Sequence, residues 1–560
     1  VLSPSELEVL RQSLGAIPEE MGVVLVRSAY SPNIKERRDA SCALFDPGGR
    51  MVAQAEHIPV HLGSMPLAVE ELLGRGEDVA PGDAWIVNDP YAGGSHLPDI
   101  TVISPVHAGE GGGDGGKGSE GKLLGFAVNK AHHADVGGSA PGSMPATARR
   151  LEEEGVVIPL QPLMRAGEPA GDAWKLLEEG SRTPEERMGD LRAQLAANSV
   201  GAARLGSFVG RYGQRRWAAF CDEVIDYSRR RMEAALARLR EGTYGAEDVI
   251  EGPGSSRSKL WPPGISVPKV GSLDIAVEVT IGGGRARFDL SGSAGQVDAP
   301  MNAPYSVTLS AVYYSLRAMT DPTIPPNHGC YLPIEVVAPK GSLLNPERPH
   351  PVGAGNVETS QRIADVCLAA LGQATPDGPT AMSQGTMNNV LIGKPSRGAF
   401  TFYETLGGGG GGMPWRAGMS GVHTHMTNTM NTPVEALEAA YPLRVRALRL
   451  HAGSGGRGLH PGGEGVVKEI EVLVDGAILT LLGDRRVKGP PGAGGGEDGS
   501  PGRDTLQRGG RTYELPSKCV LKLLKGDVIE VRTPGGGGWG KPSGGKPRGG
   551  DASEGGGTFP

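Results

Sequence analysis

Two His-x-x-Asp pairs, His96/Asp99 and His132/Asp135, stand one strand-loop-strand unit apart in the sequence. Each follows an apolar β-like segment, Ala84-Trp85-Ile86-Val87 before the first and Leu123 to Val128 before the second. Both pairs are therefore predicted at strand ends. Imidazole and carboxylate delivered from adjacent strand ends suit a divalent metal with open coordination positions. A single His-x-x-Asp is ordinarily a turn in which the carboxylate orients the ring. Two pairs, with His133 and Asp89 beside them in polar, glycine-lined loops, bring the metal reading level with the turn reading. Spacing alone goes no further.

Other polar groups could join such a site. His57 and His61 flank Ile58-Pro59-Val60, and Pro59 favours an extended loop over one helical face. His57 is assigned to packing, and His61 is retained as a candidate substrate-site group beside its own packing alternative. The loop Gly137 to Met144 offers backbone amides to an anion, or is a plain turn. Gly355-Asn356 feeds a helix and places amides where an anion or carbonyl could dock, against the simpler reading of a capped helix start. In the run 407–412, Gly408 and Gly409 could let backbone approach a ligand or swing as a lid; a linker is the ordinary alternative. His423 and His425 fall on one face of a β-like segment and form a second candidate metal or base site. Gly535 to Pro542 nearly fits a P-loop, but Pro542 replaces the hydroxyl that holds magnesium and no helix follows, so it is rejected as a nucleotide site.

The elements that must position these groups are legible in outline. Leu7, Leu10, Leu14, Ile17, Met21, Val24 and Leu25 recur at helical spacing over 4–30, with Ser3 and Ser5 as caps. Cys42 to Gln54 reads as a hairpin around Pro47-Gly48-Gly49, and Met65 to Leu73 as a helix. Residues 146–155 and 171–243 read as mainly helical, with Arg229-Arg230-Arg231 as a solvated or salt-bridged face. From about 245 the pattern alternates: strands Leu273 to Val279 and Ala286 to Gly292, a helix Tyr305 to Met319, then strands Glu469 to Val474 and Asp527 to Arg532. The expected class is α+β, multi-layered and antiparallel β-rich with a helical arm. Its expected parts are 1–170 with the metal site, the arm 171–245, a β-rich part 246–533 and a flexible Gly/Pro tail 534–560.

Composition narrows the function classes. At 560 residues the chain can bury two or three cores. Its 56 basic and 63 acidic residues include no basic tract with interleaved aromatics, which argues against nucleic acid. Five cysteines (42, 221, 330, 367 and 519) without Cys-x-x-Cys argue against a disulfide framework and fit a reducing cytoplasm. Residues 1–22 read as an amphipathic helix and not a signal peptide. No apolar run reaches the roughly 20 residues a membrane span needs. Glycine, at 90 residues, is in excess, and 109–121, 490–502 and the tail after Pro534 read as flexible low-complexity segments.

The central stretch from Asn88 to Gly138, with Glu36 to Asp46 and His57 to Met65, resembles the hydantoinase B/oxoprolinase family. That family includes the B subunit of N-methylhydantoinase, the C-terminal half of 5-oxoprolinase, and large subunits of acetone and acetophenone carboxylases. The resemblance implies a cytoplasmic subunit of an ATP-dependent cyclic amidohydrolase, acting on a hydantoin, 5-oxoproline or a related lactam. ATP and magnesium would sit on a partner A subunit of actin-like fold in a hetero-oligomer, which would phosphorylate the substrate. This chain would hold the ring and a divalent metal, zinc, manganese or iron. The resemblance makes Asp39, otherwise a turn or helix cap, a candidate ligand beside His96, Asp99, His132 and Asp135. Asp89 and His133 would stand behind these ligands or act as general base, with His61, and Asp190 to Gln194 would add polar groups nearby. Which four groups touch the metal stays open. A carboxylase subunit using bicarbonate is the alternative within the family. A non-catalytic, metal-stabilised scaffold for the A subunit is the alternative outside enzymology.

Overall fold

The computed structural model describes residues 3–55, 57–109, 121–253, 261–395 and 400–542. The segment 110–120 and the tail beyond 542, both expected to be low in complexity, lie outside them. Among the described residues there are four sheets, and their strand pairings are antiparallel except Arg285–Asp289 with Ile334–Val337. The expected α+β, multi-layered, antiparallel architecture is the observed one.

The first sheet positions the site. Its seven strands run in the order Met51–Ala55, Ala40–Phe45, Leu123–His132, Asp99–His107, Ala84–Val87, Gln161–Arg165 and Glu168–Pro169. Side chains alternate between its faces. Cys42 and Leu44 join the cluster of Leu10, Leu14 and Met21, whereas Ala43 and Phe45 join that of Val307 and Ala311. The helix Pro4–Ser28 covers one face although Pro18 lies inside it. An internal proline costs about 3 kcal/mol. Burial of Leu10, Leu14, Ile17, Met21 and Leu25 contributes about 1.5–3 kcal/mol each, so the helix runs through.

The helices Pro184–Tyr212 and Gln214–Leu236 were expected as an arm. The first instead lies across the sheet. Gln194 Nε2 donates to Ile100 O at 2.9 Å, and Asn129 Nδ2 donates to Asn198 Oδ1 at 2.7 Å. These amides satisfy polar groups that the sheet would otherwise bury unpaired. Residues 146–155 form turns with one short 3₁₀ segment, Leu151–Glu153, where a helix was expected.

The second sheet (Ile334–Val337, Arg285–Asp289, Leu273–Gly282, Gly242–Ile250) packs against the helix Ser360–Gln373. The third (Thr401–Thr405, Asn389–Gly393, Ile478–Leu482, Lys518–Lys522) and fourth (Leu443–His451, Gly465–Val472, Val528–Arg532, Arg503–Arg508, Arg511–Leu515) share one core.

The glycine runs are packed, not flexible. Segments 407–412, 454–463, 490–499 and 535–540 run side by side, bonded backbone to backbone in several directions. Gly409 N donates to Pro534 O, Gly463 N to Gly410 O, Gly536 N to Gly463 O and Gly412 N to Gly537 O, at 2.8–3.0 Å. The expectation of flexibility over 490–502 and from 534 is corrected for the described residues. Glycine here serves close approach of chains, with peptide hydrogen bonds replacing side-chain packing. The near P-loop is explained likewise: the amides of Gly535, Gly536, Gly537 and Gly538 already donate to Ser500, Gly463, Met382 and Glu497 carbonyls. None remains to cradle a phosphate.

Candidate active site

Asp99 opens one strand and His132 closes its neighbour, and the register sets the two directly opposite. His96 enters from the turn before Asp99, whose amide donates to His96 O at 3.0 Å. Asp99 Oδ1 lies 3.0 Å from both His96 Nε2 and His132 Nδ1, and those two nitrogens are 3.1 Å apart. All three side chains are at most 3% exposed. Asn356 brings its amide to 3.3 Å from His96 Nε2. His61, at the end of the 3₁₀ turn Pro59–His61, holds Ser41 Oγ at 3.0 Å through Nδ1. Its Nε2 stands 3.6 Å from Asp99 Oδ2, too far for a strong hydrogen bond. Asp39, just before the strand Ala40–Phe45, accepts the His132 amide through its carbonyl and lines the same small pocket with its side chain. Ser95 Oγ donates to Asp99 Oδ2 at 2.6 Å, and Lys130 Nζ to Ser95 Oγ at 3.3 Å.

Electrostatics follow from burial. Desolvation opposes charge on Asp99, but His96, His132 and His61 overcome it and hold its carboxyl well below the usual carboxylate range. Burial lowers the His132 pKa against the pull of Asp99. Burial also drives Lys130 down to about 8, with Asp99 opposing. Among the described residues, His96, Asp99 and His132 form a group whose ligand atoms all lie within 4.8 Å of one another. Nε2 of His61 and of His132 are buried without a hydrogen bond. Lone pairs crowded at one point and buried nitrogens left unbonded are what a donor set for a cation presents.

The remaining expected site residues lie elsewhere. Asp135 is corrected. Its oxygens accept from the amides of Gly137 and Gly142 and from Arg182 Nη1 at 2.9–3.0 Å, so it ties down the loop 137–144 and faces away from the centre. The second His-x-x-Asp pair is split because the strand ends at His132 and the chain turns before Asp135. His133, one residue past His132, points to the opposite side, where Nε2 meets Gln194 Oε1 at 2.9 Å; burial and the nearby Arg187 push it down to about 4. Asp89 caps Tyr91 N at 3.0 Å and pairs with Arg348. The amides of Gly355 and Asn356 donate to Pro300 and Val352 carbonyls, and those of Gly408 and Gly409 to Val422 and Pro534 carbonyls, so neither pair cradles an anion. Replacing Asp135 with alanine removes the carboxylate that pairs with the Arg182 guanidinium and leaves the amides of Gly137, Gly142 and Arg182 without their acceptor in the interior. It is expected to cost about 3–5 kcal/mol by denaturant titration, while the folded fraction retains turnover within about threefold.

With this geometry in view, the comparison with known proteins is decisive. The sequence model of the hydantoinase B/oxoprolinase family matches residues 3–542. The chain belongs to that family. It is 38% identical over 540 residues to an uncharacterized protein of Methanocaldococcus jannaschii, covering 96% of this chain and 90% of that one. It is 37% identical to 5-oxoprolinase 1 of Arabidopsis thaliana, covering 96% of this chain but only 42% of the plant protein. The putative B subunit of a D-/L-hydantoinase from a Pseudomonas strain is 32% identical over 97% of this chain and 90% of its own length. Among solved structures, the ATP-dependent caprolactamase of Pseudomonas jessenii superposes with a TM-score of 0.84 at 27% identity, over 97% of this chain and 92% of that one. Acetone carboxylase superposes at 0.85 and 18% identity, over 96% of this chain and 75% of that one, a likeness of fold alone.

The structure adds residues that sequence reading passed over. Tyr403, from the third sheet, lies with its ring centroid 5.0 Å from that of His132 and under the Arg37 guanidinium at 4.4 Å. Thr405, Thr429, Met387 and Met426 close the pocket. The sequence draws attention here only to the glycine run 407–412 that follows. Beside this centre opens a cleft of about 780 Å³, lined largely by apolar groups such as Leu62, Met319, Met382 and Trp415, and by His423 and His425. His423 and His425 do not converge on one point. His425 pairs with Asp365, while both ring nitrogens of His423 lack a hydrogen bond. Thr427 lines both the cleft and the buried centre.

Proposed function

We propose that this chain is the B-type subunit of an ATP-dependent cyclic amidohydrolase, which opens a hydantoin, 5-oxoproline or related lactam ring after a partner ATPase subunit has phosphorylated the substrate. The observation that carries the reading is the convergence of His96 Nε2, His132 Nδ1 and Asp99 Oδ1 in a closed pocket beside an apolar cleft. The family, and the caprolactamase likeness over nearly the whole chain, support hydrolysis of a cyclic amide over carboxylation. The bound peptide amides at 535–538 support placing ATP on a partner.

The donor set fits a divalent cation, with His96, His132 and Asp99 holding it and Asp39 and His61 at the margin. Such an ion supplies Lewis acidity and brings the pKa of water toward neutrality. This chain's own residues do the rest. Ser95 and Lys130 fix Asp99 through Oδ2 and leave Oδ1 aimed at the two imidazoles. The unbonded Nε2 of His61 is placed to take the proton of the attacking water. Asn356 and Tyr403 wall the pocket and limit entry of bulk water.

Metal analysis of the purified chain tests the reading. About one zinc, manganese or iron per chain is expected, lost in folded His96→Ala and His132→Ala variants. With an A-type ATPase subunit and ATP, the wild type is expected to open at least one ring among hydantoins, 5-oxoproline and larger lactams. No metal in the folded wild type after all three ions are supplied sinks the metal centre. Variants that lose stability but keep turnover point to a scaffold.

A further inference from the structure

We propose that the apolar cleft binds the cyclic amide and that His425 is the proton donor to its leaving nitrogen, an assignment that rests on the hydrolase reading above. Four observations lead there. His425 holds φ at 57°, a left-handed conformation that a side chain beyond glycine adopts only under constraint and that gathers at functional sites. Met426 beside it is fully buried, and Gln361 Nε2 donates to Thr424 O at 3.1 Å, so the neighbouring chain is pinned.

The second observation is the ring's bonding. Nε2 faces Asp365 Oδ1 at 3.1 Å, and Asp365 is itself held by Arg362 Nη1 and Arg485 Nη2, both at 3.1 Å from Oδ2. That carboxylate fixes the proton on Nε2 and leaves Nδ1 to exchange one. Nδ1 lies 3.5 Å from the Tyr314 hydroxyl, and both side chains line the cleft. Burial raises Tyr314 to about 12, so it stays a phenol that orients the ring.

Third, two turns, one at Pro59–His61 and one at His425–Met426, line the cleft on one side and the centre on the other, where the two meet. His57, Pro59 and Leu62 face the cleft, while Ile58, Val60 and His61 face the centre. His425 and Asn428 face the cleft, Met426 and Thr429 the centre, and Thr427 both. Only Met426 separates His425 from Thr427, at most about 7 Å between their Cα atoms.

Fourth, ring opening needs a second proton transfer, to the leaving nitrogen. Water oxygen bonds to the carbonyl carbon, one of its protons goes to His61, and the other leaves to solvent as the adduct collapses to a carbonyl. The C–N bond then breaks with its electron pair on nitrogen, which takes the proton from His425 Nδ1. Solvent later returns a proton to His425 and takes the one held by His61. A phosphoryl group on the carbonyl oxygen stays there while C–N breaks, leaving an acyl phosphate that a second water cleaves. Phosphate needs no such proton to depart. Without His425 the adduct therefore expels phosphate and restores the ring, so ATP is spent without product.

The test uses the full chain with an A-type subunit and ATP, measuring ADP and ring-opened product together. A saturated lactam, which releases an alkylamine, is compared with a hydantoin, which releases a less basic ureido nitrogen. For His425→Ala the lactam kcat is expected to fall by about 10²–10³, with KM changed far less, and the hydantoin kcat by about tenfold or less. The ADP-to-product ratio on the lactam rises correspondingly. Should the alanine variant melt early, His425→Gln, which keeps an N–H for Asp365 but carries no exchangeable acid, decides the matter. Lactam turnover within about twofold of wild type, or equal losses on both rings at an unchanged ADP-to-product ratio, overturns the assignment. A wild type that opens neither ring overturns the hydrolase reading instead.

Discussion

Asp99→Ala is expected to abolish metal retention and lower ring opening by about 10³-fold or more, with the fold intact. The size follows from its position. Asp99 Oδ1 is the atom on which both imidazoles converge, and it supplies the negative charge at their meeting point. Removing a carboxylate whose pKa the three histidines hold far down leaves those rings facing each other across 3.1 Å with nothing between them. Asp99→Asn keeps the shape but presents an amide, and it should lose nearly as much activity with a smaller change in melting. Elemental analysis and single-turnover kinetics on both variants separate the effects. Wild-type metal content with normal turnover in either variant would remove Asp99 from the centre.

The sequence carried the local elements and half of the centre. Apolar runs before His96 and His132 marked two strands, and strand ends were the right place to seek ligands. The register that sets Asp99 opposite His132 could not be read, because it depends on where the intervening segment turns. Asp135 misled because motif spacing says nothing about which way a residue faces after its strand stops. The loop amides at 137 and 142 captured its carboxylate. Tyr403 and Thr405 come from another sheet, and no periodicity connects residue 403 to residue 132. Asp39 entered as a candidate through resemblance and His61 as a loop histidine, and the structure puts both at the pocket wall. The glycine runs were the largest misreading. Low complexity ordinarily signals a chain with nothing to bury. Here the peptide groups of 407–412 and 535–538 are buried, and the runs pair with one another through their backbones.

That glycine layer yields the largest expected effect on stability. A Cβ at Gly409 would lie 2.1 Å from both Gly463 O and Gly536 N, and one at Gly536 2.0 Å from Gly410 O. These neighbours are backbone, held by their own hydrogen bonds, so neither can swing aside as a side-chain tip could. Gly409→Ala and Gly536→Ala are each expected to cost about 3 kcal/mol or more, lowering the apparent Tm by about 5 °C or more and reducing soluble yield. Gly15 supplies the contrast. It lies inside the helix Pro4–Ser28, and nothing stands within 4 Å of its added Cβ. Gly15→Ala should therefore stabilise by about 0.5–1 kcal/mol through helix propensity. A lid at 407–412 predicts the opposite pattern, an unchanged Tm for Gly409→Ala and a lower kcat. Melting curves of the three variants decide between a swinging loop and a packed layer, since the same methyl group is harmless where the chain faces open space and ruinous where peptide touches peptide.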